Sequence, residues 1–122
     1  MIIAIDDQPE ILFVIKRYLQ DKFEVETFQN ELDAVEFASK NKDIIDLIIV
    51  DFNMPRLNGM EFINKIKSEE YKNKFLIVSA EQASQLEDAK GGDENIHYLI
   101  KPVLKSNLIE KVTELVPPKP FF

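Results

Sequence analysis

Residues 46–59 read DLIIVDFNMPRLNG. Ile48, Ile49 and Val50 form an unbroken apolar run, the pattern of a strand buried on both faces. The run ends on a carboxylate, Asp51, and turns at once through Asn53, Met54 and Pro55. Interior strands normally leave the core through neutral turn residues. An acid at the carboxyl end of a central strand lies where open α/β sheets bind their ligands, so Asp51 is a candidate for chemistry.

Outward from this stretch the chain alternates. Four further short β-like runs occur at residues 2–6 (IIAID), 23–28 (FEVETF), 75–80 (FLIVSA) and 97–101 (HYLIK), each bounded by charged or turn residues. Helical patterns lie between them. Leu12, Ile15 and Leu19 share one stripe; NELDAVEFASK opens on Asn30 as a cap; Phe62, Ile63 and Ile66 follow Gly59; Leu108, Val112 and Leu115 line the last helix. The segment 83–90 is weaker, with little apolar beyond Leu86 and Ala89, and Gly91-Gly92 cut it short. It reads as a short or labile helix.

Strand-helix alternation with inner strands that do not alternate in polarity means an α/β fold: a parallel, doubly wound five-stranded sheet with helices on both faces. All strands then point the same way. The ends of the first, third, fourth and fifth strands meet along one edge and carry Asp6 and Asp7, Asp51, Ser79, and Lys101. Residues 1–116 read as one domain. The remaining residues 117–122, PPKPFF, cannot continue a helix and read as an extended tail or a truncated linker.

Composition narrows the function. The 122 residues are 45% hydrophobic and 30% charged, enough for one real core and too few for a second domain. No apolar run spans a bilayer, and two acids close behind the N-terminus are unlike a signal peptide, so a cytoplasmic location is expected. The absence of cysteine excludes disulfides and thiolate metal sites. A net charge of −7 argues against nucleic-acid binding by this chain alone and favours divalent cations or basic protein surfaces.

Three carboxylates brought within ~5 Å repel by roughly 3 kcal/mol per pair at an effective dielectric near 20. The cluster therefore asks for a cation. All-oxygen ligation suits Mg²⁺ or Mn²⁺, with several waters retained. Such an ion together with Lys101 balances Asp6, Asp7 and Asp51 and leaves a pocket receptive to a phosphoryl group. A carboxylate is itself a competent nucleophile toward phosphorus. Taken singly, each residue has a plainer reading: Asp6-Asp7 as a turn, Ser79 as a strand terminus, Lys101 as a solvated lysine, Tyr98 as packing, and His97, the lone histidine, as solvent-facing.

In order, these residues resemble the receiver domain of two-component response regulators, over essentially the whole chain. The likeness rests on Asp6-Asp7, on the Asp-x-x-Met-Pro-x-x-x-Gly frame from Asp51 to Gly59, on Ser79-Ala80, and on YLIKP with Lys101-Pro102. The resemblance implies the flavodoxin-like strand order 2-1-3-4-5 and phosphorylation at Asp51 by a sensor histidine kinase or histidine phosphotransfer protein. It implies a metal held by Asp6, Asp7, Asp51 and the Asn53 carbonyl, with Ser79 and Lys101 on the phosphoryl oxygens. It also implies a switch in which Ser79 and Tyr98 move together, a cis peptide before Pro102, and a chain that catalyses only its own phosphorylation and dephosphorylation. The expected state is a monomer or a weak phosphorylation-dependent dimer that engages a downstream protein effector and no membrane. Two features depart from the pattern: Ser79 replaces the commoner threonine, and Glu94-Asn95 replace a frequent Gly-Ala pair. Asn53 and Glu81 occupy positions that tune dephosphorylation in the family.

Other classes fit less well. A Mg-dependent phosphohydrolase usually carries its nucleophile on the first strand and a lid over the site. A nucleotide binder needs a phosphate loop where this chain has DDQPE, which repels phosphate. The nearer alternative is a receiver-like interaction domain acting independently of phosphorylation. With no effector segment after Val116, the domain is expected to act by binding a partner or to have been part of a longer protein.

Overall fold

The computed structural model describes residues 1–116. The proline-rich stretch 117–122, read above as a tail or linker, lies outside the described residues. Ten elements alternate: β1 (Ile2–Ile5), α1 (Pro9–Leu19), β2 (Val25–Phe28), α2 (Glu31–Asn41), β3 (Leu47–Asp51), α3 (Gly59–Ser68), β4 (Lys74–Ser79), α4 (Ala83–Lys90), β5 (Ile96–Ile100) and α5 (Lys105–Leu115). The five strands form one parallel sheet in the order β2-β1-β3-β4-β5. The doubly wound architecture expected from the alternation is the one observed.

Burial follows the sequence pattern. Every residue of β1 and β3 is buried, as continuous apolar runs demand of strands covered on both faces. The edge strands β2 and β5 are only partly buried. On one face Leu12, Ile15 and Leu19 of α1 and Leu108 and Val112 of α5 pack on Ile2, Ala4, Leu47 and Ile49. On the other, α2, α3 and α4 set Ala34, Phe62, Ile63, Ile66 and Leu86 on Ile3, Ile5, Ile48 and Ile77. Each fully buried Leu, Ile or Phe contributes roughly 1.5–3 kcal/mol relative to exposure, so these two layers hold the strand ends in place.

Local signals set the helix starts. The Asn30 side chain accepts from the N–H groups of Leu32 and Asp33, the cap its position predicts. Asn58 and Glu61 form a reciprocal capping box at α3. The weak helix, α4, does form, over eight residues, with Leu86 as its one buried residue and Gly91 in the left-handed conformation closing it. No helix among the described residues is long and apolar enough to cross a membrane.

Candidate phosphoacceptor site

Because all strands run parallel, their carboxyl ends form one edge, and the register there is tight. Asp51 pairs with Val78 and Ser79 with Ile100. The Lys101 N–H donates to the Ser79 carbonyl at 2.7 Å, and the Asp6 N–H to the Phe28 carbonyl at 3.2 Å. The backbone thus delivers Asp6, Asp51, Ser79 and Lys101 to one place. Carboxylate oxygens of Asp6, Asp7 and Asp51 lie within 4.8 Å of one another.

Lys101 Nζ sits 3.6 Å from Asp51 Oδ1 and 3.8 Å from Asp6 Oδ2. These are ion pairs, longer than hydrogen bonds. A single lysine pairs with two of the three carboxylates, and the acids show it. Burial pushes the Asp6 carboxyl up to about 6; the Gln8 N–H, donating to Asp6 Oδ1 at 2.9 Å, opposes this, and the charge of Asp51 adds to it. Asp51 is also held above the usual carboxylate range by burial, opposed first by the Lys101 charge, with Asp7 adding to the rise. Asp6 and Asp51 are 2% and 7% exposed, whereas Asp7 stands in solvent. Two desolvated oxygens and one accessible carboxylate make a donor set suited to a hard divalent cation that keeps part of its water.

The loop after β3 is shaped by Gly59. Its N–H donates to the Phe52 carbonyl at 2.7 Å, and a Cβ there would meet the Phe52 Cα at 2.9 Å and the Asp51 carbonyl oxygen at 3.1 Å. Only a residue without a side chain lets α3 start against the backbone of the acid. The Asn53 N–H approaches Asp51 Oδ1 at 3.5 Å, and the Asn53 side chain reaches across to Glu81. Met54 is buried and Phe52 packs beside it, while Arg56 is exposed.

Ser79 is fully buried, and its Oγ accepts from the Glu81 N–H at 3.0 Å. The Lys101-Pro102 bond is cis, as the resemblance led us to expect. Tyr98 is half-buried with its ring against the α2/α3/α4 core, and the nearby Glu87 carboxylate pushes the phenol up. His97 departs from expectation. It is half-buried rather than fully open to solvent: its Nε2 is buried without a hydrogen-bond partner among the described residues, on the face of β5 that Leu99 turns to the α1/α5 layer. Burial, with the charges of Lys111, Lys90 and Lys74, pulls its pKa down.

Three contributions went unread in the sequence. The Gln8 N–H on Asp6 is a local turn of a kind Asp favours, whereas the placement of Glu87 near Tyr98 depends on tertiary packing. The acidic loop at Glu94-Asn95 is tied down by Asp93, which accepts from the Asn95 N–H and pairs with Lys67 of α3.

Comparison with known proteins agrees with this geometry. The family profile of the response regulator receiver domain matches residues 2–113. A chemotaxis protein CheY homolog of Campylobacter jejuni is 26% identical over 121 residues, covering 94% of this chain and 91% of the relative. The transcriptional regulatory protein PrrA of Mycobacterium tuberculosis is 28% identical over 118 residues, covering 94% of this chain; the match spans 49% of that longer protein. The solved structure of the Vibrio cholerae chemotaxis protein CheY4 superposes with a TM-score of 0.83 at 26% identity, covering 94% of this chain and 97% of that one. With its parallel 2-1-3-4-5 sheet and its clustered acids, the chain belongs to the response regulator receiver domain family.

Proposed function

We propose that this domain is the phosphoacceptor of a two-component relay, taking a phosphoryl group from a histidine kinase or histidine phosphotransfer protein onto Asp51. The observation that carries the reading is the convergence of three carboxylates at a sheet edge, two of them paired to one lysine, with Lys101 Nζ 3.6 Å from Asp51. Such a cluster is unfavourable as it stands and becomes favourable when a cation and a phosphoryl group complete it.

In the transfer an Asp51 carboxylate oxygen attacks phosphorus, the bond from phosphorus to the donor's histidine nitrogen breaks, and the freed imidazole leaves with the bonding pair. The product is an acyl phosphate. Lys101 follows the charge from the carboxylate to a phosphoryl oxygen, and the Ser79 hydroxyl, whose oxygen already accepts from Glu81, has its proton free to donate to another. Asp6, Asp7, Asp51 and the Asn53 carbonyl would hold Mg²⁺ or Mn²⁺, which when bound neutralises the phosphoryl oxygens. Loss of the phosphoryl group to water is the only turnover this scheme contains, so the domain is a switch rather than an enzyme acting on a separate substrate.

Output passes through α4, β5 and α5 to a protein effector, with residues 1–116 acting as one cytoplasmic module. Incubation with acetyl phosphate and Mg²⁺, read by intact mass, tests the assignment. Wild type gains one phosphoryl mass only with the metal, and Asp51→Asn gains none. A wild type that stays unmodified at millimolar Mg²⁺, beside a receiver that is modified in parallel, overturns it.

A further inference from the structure

A groove of about 350 Å³ runs along the outer margin of the sheet between α1 and β2. Leu12, Phe13, Lys16 and Arg17 of α1 border it on one side, Thr27 and Gln29 on the other. Phe13 is 66% exposed, more than any other large apolar side chain among the described residues. Lys16 and Arg17 form no ion pair among the described residues, in a chain whose net charge is −7. An exposed ring beside two unpaired cations inverts the sign of the surrounding surface.

The backbone beside this groove is also free. β2 is an edge strand whose one neighbour is β1. The Glu24 carbonyl accepts from Ile2 and the Phe28 carbonyl from Asp6, so Glu24, Glu26 and Phe28 turn their backbone groups inward. Strand residues alternate, and Val25 and Thr27 therefore turn theirs outward. The side chains alternate between faces as well. Val25 packs in the α1/α5 core, which puts Thr27 and Gln29 on the α1 face beside Lys16 and Arg17; Phe28 packs in the opposite core, which puts Glu24 and Glu26 on the α2 face.

We propose that this edge docks an extended segment of a partner protein by strand addition. Its inward alternate residues are acidic or apolar, meeting Lys16, Arg17 and Phe13; the intervening residues are basic, lying beside Glu24 and Glu26. Main-chain hydrogen bonds to Val25 and Thr27 supply affinity, and the opposite charge of the two faces fixes the register. A second copy is the poorer occupant. Antiparallel pairing through the same edge about a two-fold axis would set Lys16 and Arg17 of both copies on one face, where like charges repel. The surface shares no residue with the Asp51 pocket, so it stands or falls apart from phosphorylation.

The test is titration of the isotope-labelled full chain with a synthetic peptide in which Glu and Lys alternate around one Leu that takes a Glu position. The control peptide has the same composition with Glu and Lys in blocks. Saturable shifts at the Val25 and Thr27 amides, with slowed exchange there, are expected for the alternating peptide, and binding about tenfold weaker for the blocked one. Lys16→Glu with Arg17→Glu should weaken binding by a similar factor. Thr27→Pro should abolish it, since the proline deletes an outward N–H and leaves the ladder to β1 intact; if that variant does not fold, the charge reversals decide. Shifts that fall elsewhere, survive charge reversal, or arise at this edge from protein concentration alone overturn the proposal, the last assigning the edge to a second copy.

Discussion

The Asn53 side-chain amide donates to a Glu81 carboxylate oxygen at 3.0 Å, joining the loop after β3 to the loop after β4. Each residue lies two positions beyond a pocket residue, Asp51 or Ser79, so the bond ties together the two loops that leave the site. It also fixes a negative charge there. An anionic phosphodonor must approach against that charge, and neutralising it should speed phosphorylation by acetyl phosphate roughly two- to fivefold at low salt, with the gain fading as ionic strength rises. Glu81→Gln keeps an acceptor for Asn53 and removes the charge; Glu81→Ala removes both. Equal acceleration in the two variants assigns the effect to charge, acceleration in Glu81→Ala alone assigns it to the bond, and no change in either places the bridge off the approach path.

The carboxylate cluster makes a claim about stability that does not depend on the family. Burial and mutual repulsion hold Asp6 and Asp51 above the ordinary carboxylate range, so at neutral pH their ionised forms cost more in the fold than in the unfolded chain. Neutral isosteres should remove that cost. In EDTA, Asp51→Asn is expected to raise the melting temperature by on the order of 1 kcal/mol of stability, and exposed Asp7→Asn by less. A Mg²⁺ ion held by these acids in the native state only should lift wild type more than Asp7→Asn. Asp88→Asn, exposed on α4, should show neither effect. Thermal melts in both buffers decide it: pocket variants that melt lower than wild type in EDTA, with wild type indifferent to Mg²⁺, mean that these acids share no metal site.

Where one residue type at one position suffices to specify an element, the sequence was readable. The strand runs, the Asn30 cap and the Leu12-Ile15-Leu19 stripe all depend on local pattern, and each lies where the pattern puts it. Gly59 belongs to the same class, since its place in the Asp51 frame is explained by backbone 2.9 Å from a would-be Cβ. Gly59→Ala should consequently lower stability by about 1–3 kcal/mol and slow acetyl-phosphate modification, because α3 must back away from the Asp51 peptide. A variant as stable and as fast as wild type would show that the loop relaxes freely. What stayed hidden was side-chain company across elements. Glu31, in the first turn of α2, is 1% exposed with Oε1 lacking a partner among the described residues, a burial its local sequence does not signal. His97 read as solvent-facing for the same reason: one residue on an edge strand carries no mark of which helix will cover it.

His97 gives a pH dependence. Its neighbours are Lys74 on β4, Lys90 on α4, and Lys111 with Glu114 on α5; the three cations and burial oppose its protonation, and only Glu114 favours it. The folded pKa therefore lies below the unfolded value near 6.5. Above that pH the ring is neutral in both states and contributes nothing. As pH falls through 6.5 the unfolded chain takes the proton first, so stability drops. Other carboxylates titrate over the same range, and the comparison must be a difference: wild type should lose more stability than His97→Phe between pH 7.5 and pH 5, and parallel curves would sink the assignment. His97→Phe should also melt higher at pH 7.5, since it removes a buried nitrogen without a partner.

The switch that the family resemblance implies, with Ser79 and Tyr98 moving together, would work against two features of the structure. Ser79 Oγ accepts from the Glu81 N–H, and the Glu87 carboxylate of α4 lies near enough to the Tyr98 hydroxyl to raise its phenol. Movement of Ser79 toward a phosphoryl oxygen would release the first, and inward rotation of Tyr98 the second, so each would weight the equilibrium toward the unphosphorylated arrangement. Glu87→Gln weakens the outer tether without touching Asp51. Tyrosine titration should show the Tyr98 phenol ionising at lower pH in this variant, while Tyr71, whose phenol is raised by burial, stays put and serves as an internal standard. The same variant should bind its effector, or adopt the phosphorylated pattern of amide shifts, at a lower degree of phosphorylation than wild type, because less free energy is needed to turn the ring. Shifts on phosphorylation that cluster at residues 30–45, with α4, β5 and α5 silent, would place the output on α2 and remove Tyr98 from it. An unchanged Tyr98 titration in Glu87→Gln would remove the tether alone, leaving Ser79 as the only link between the acid and the surface.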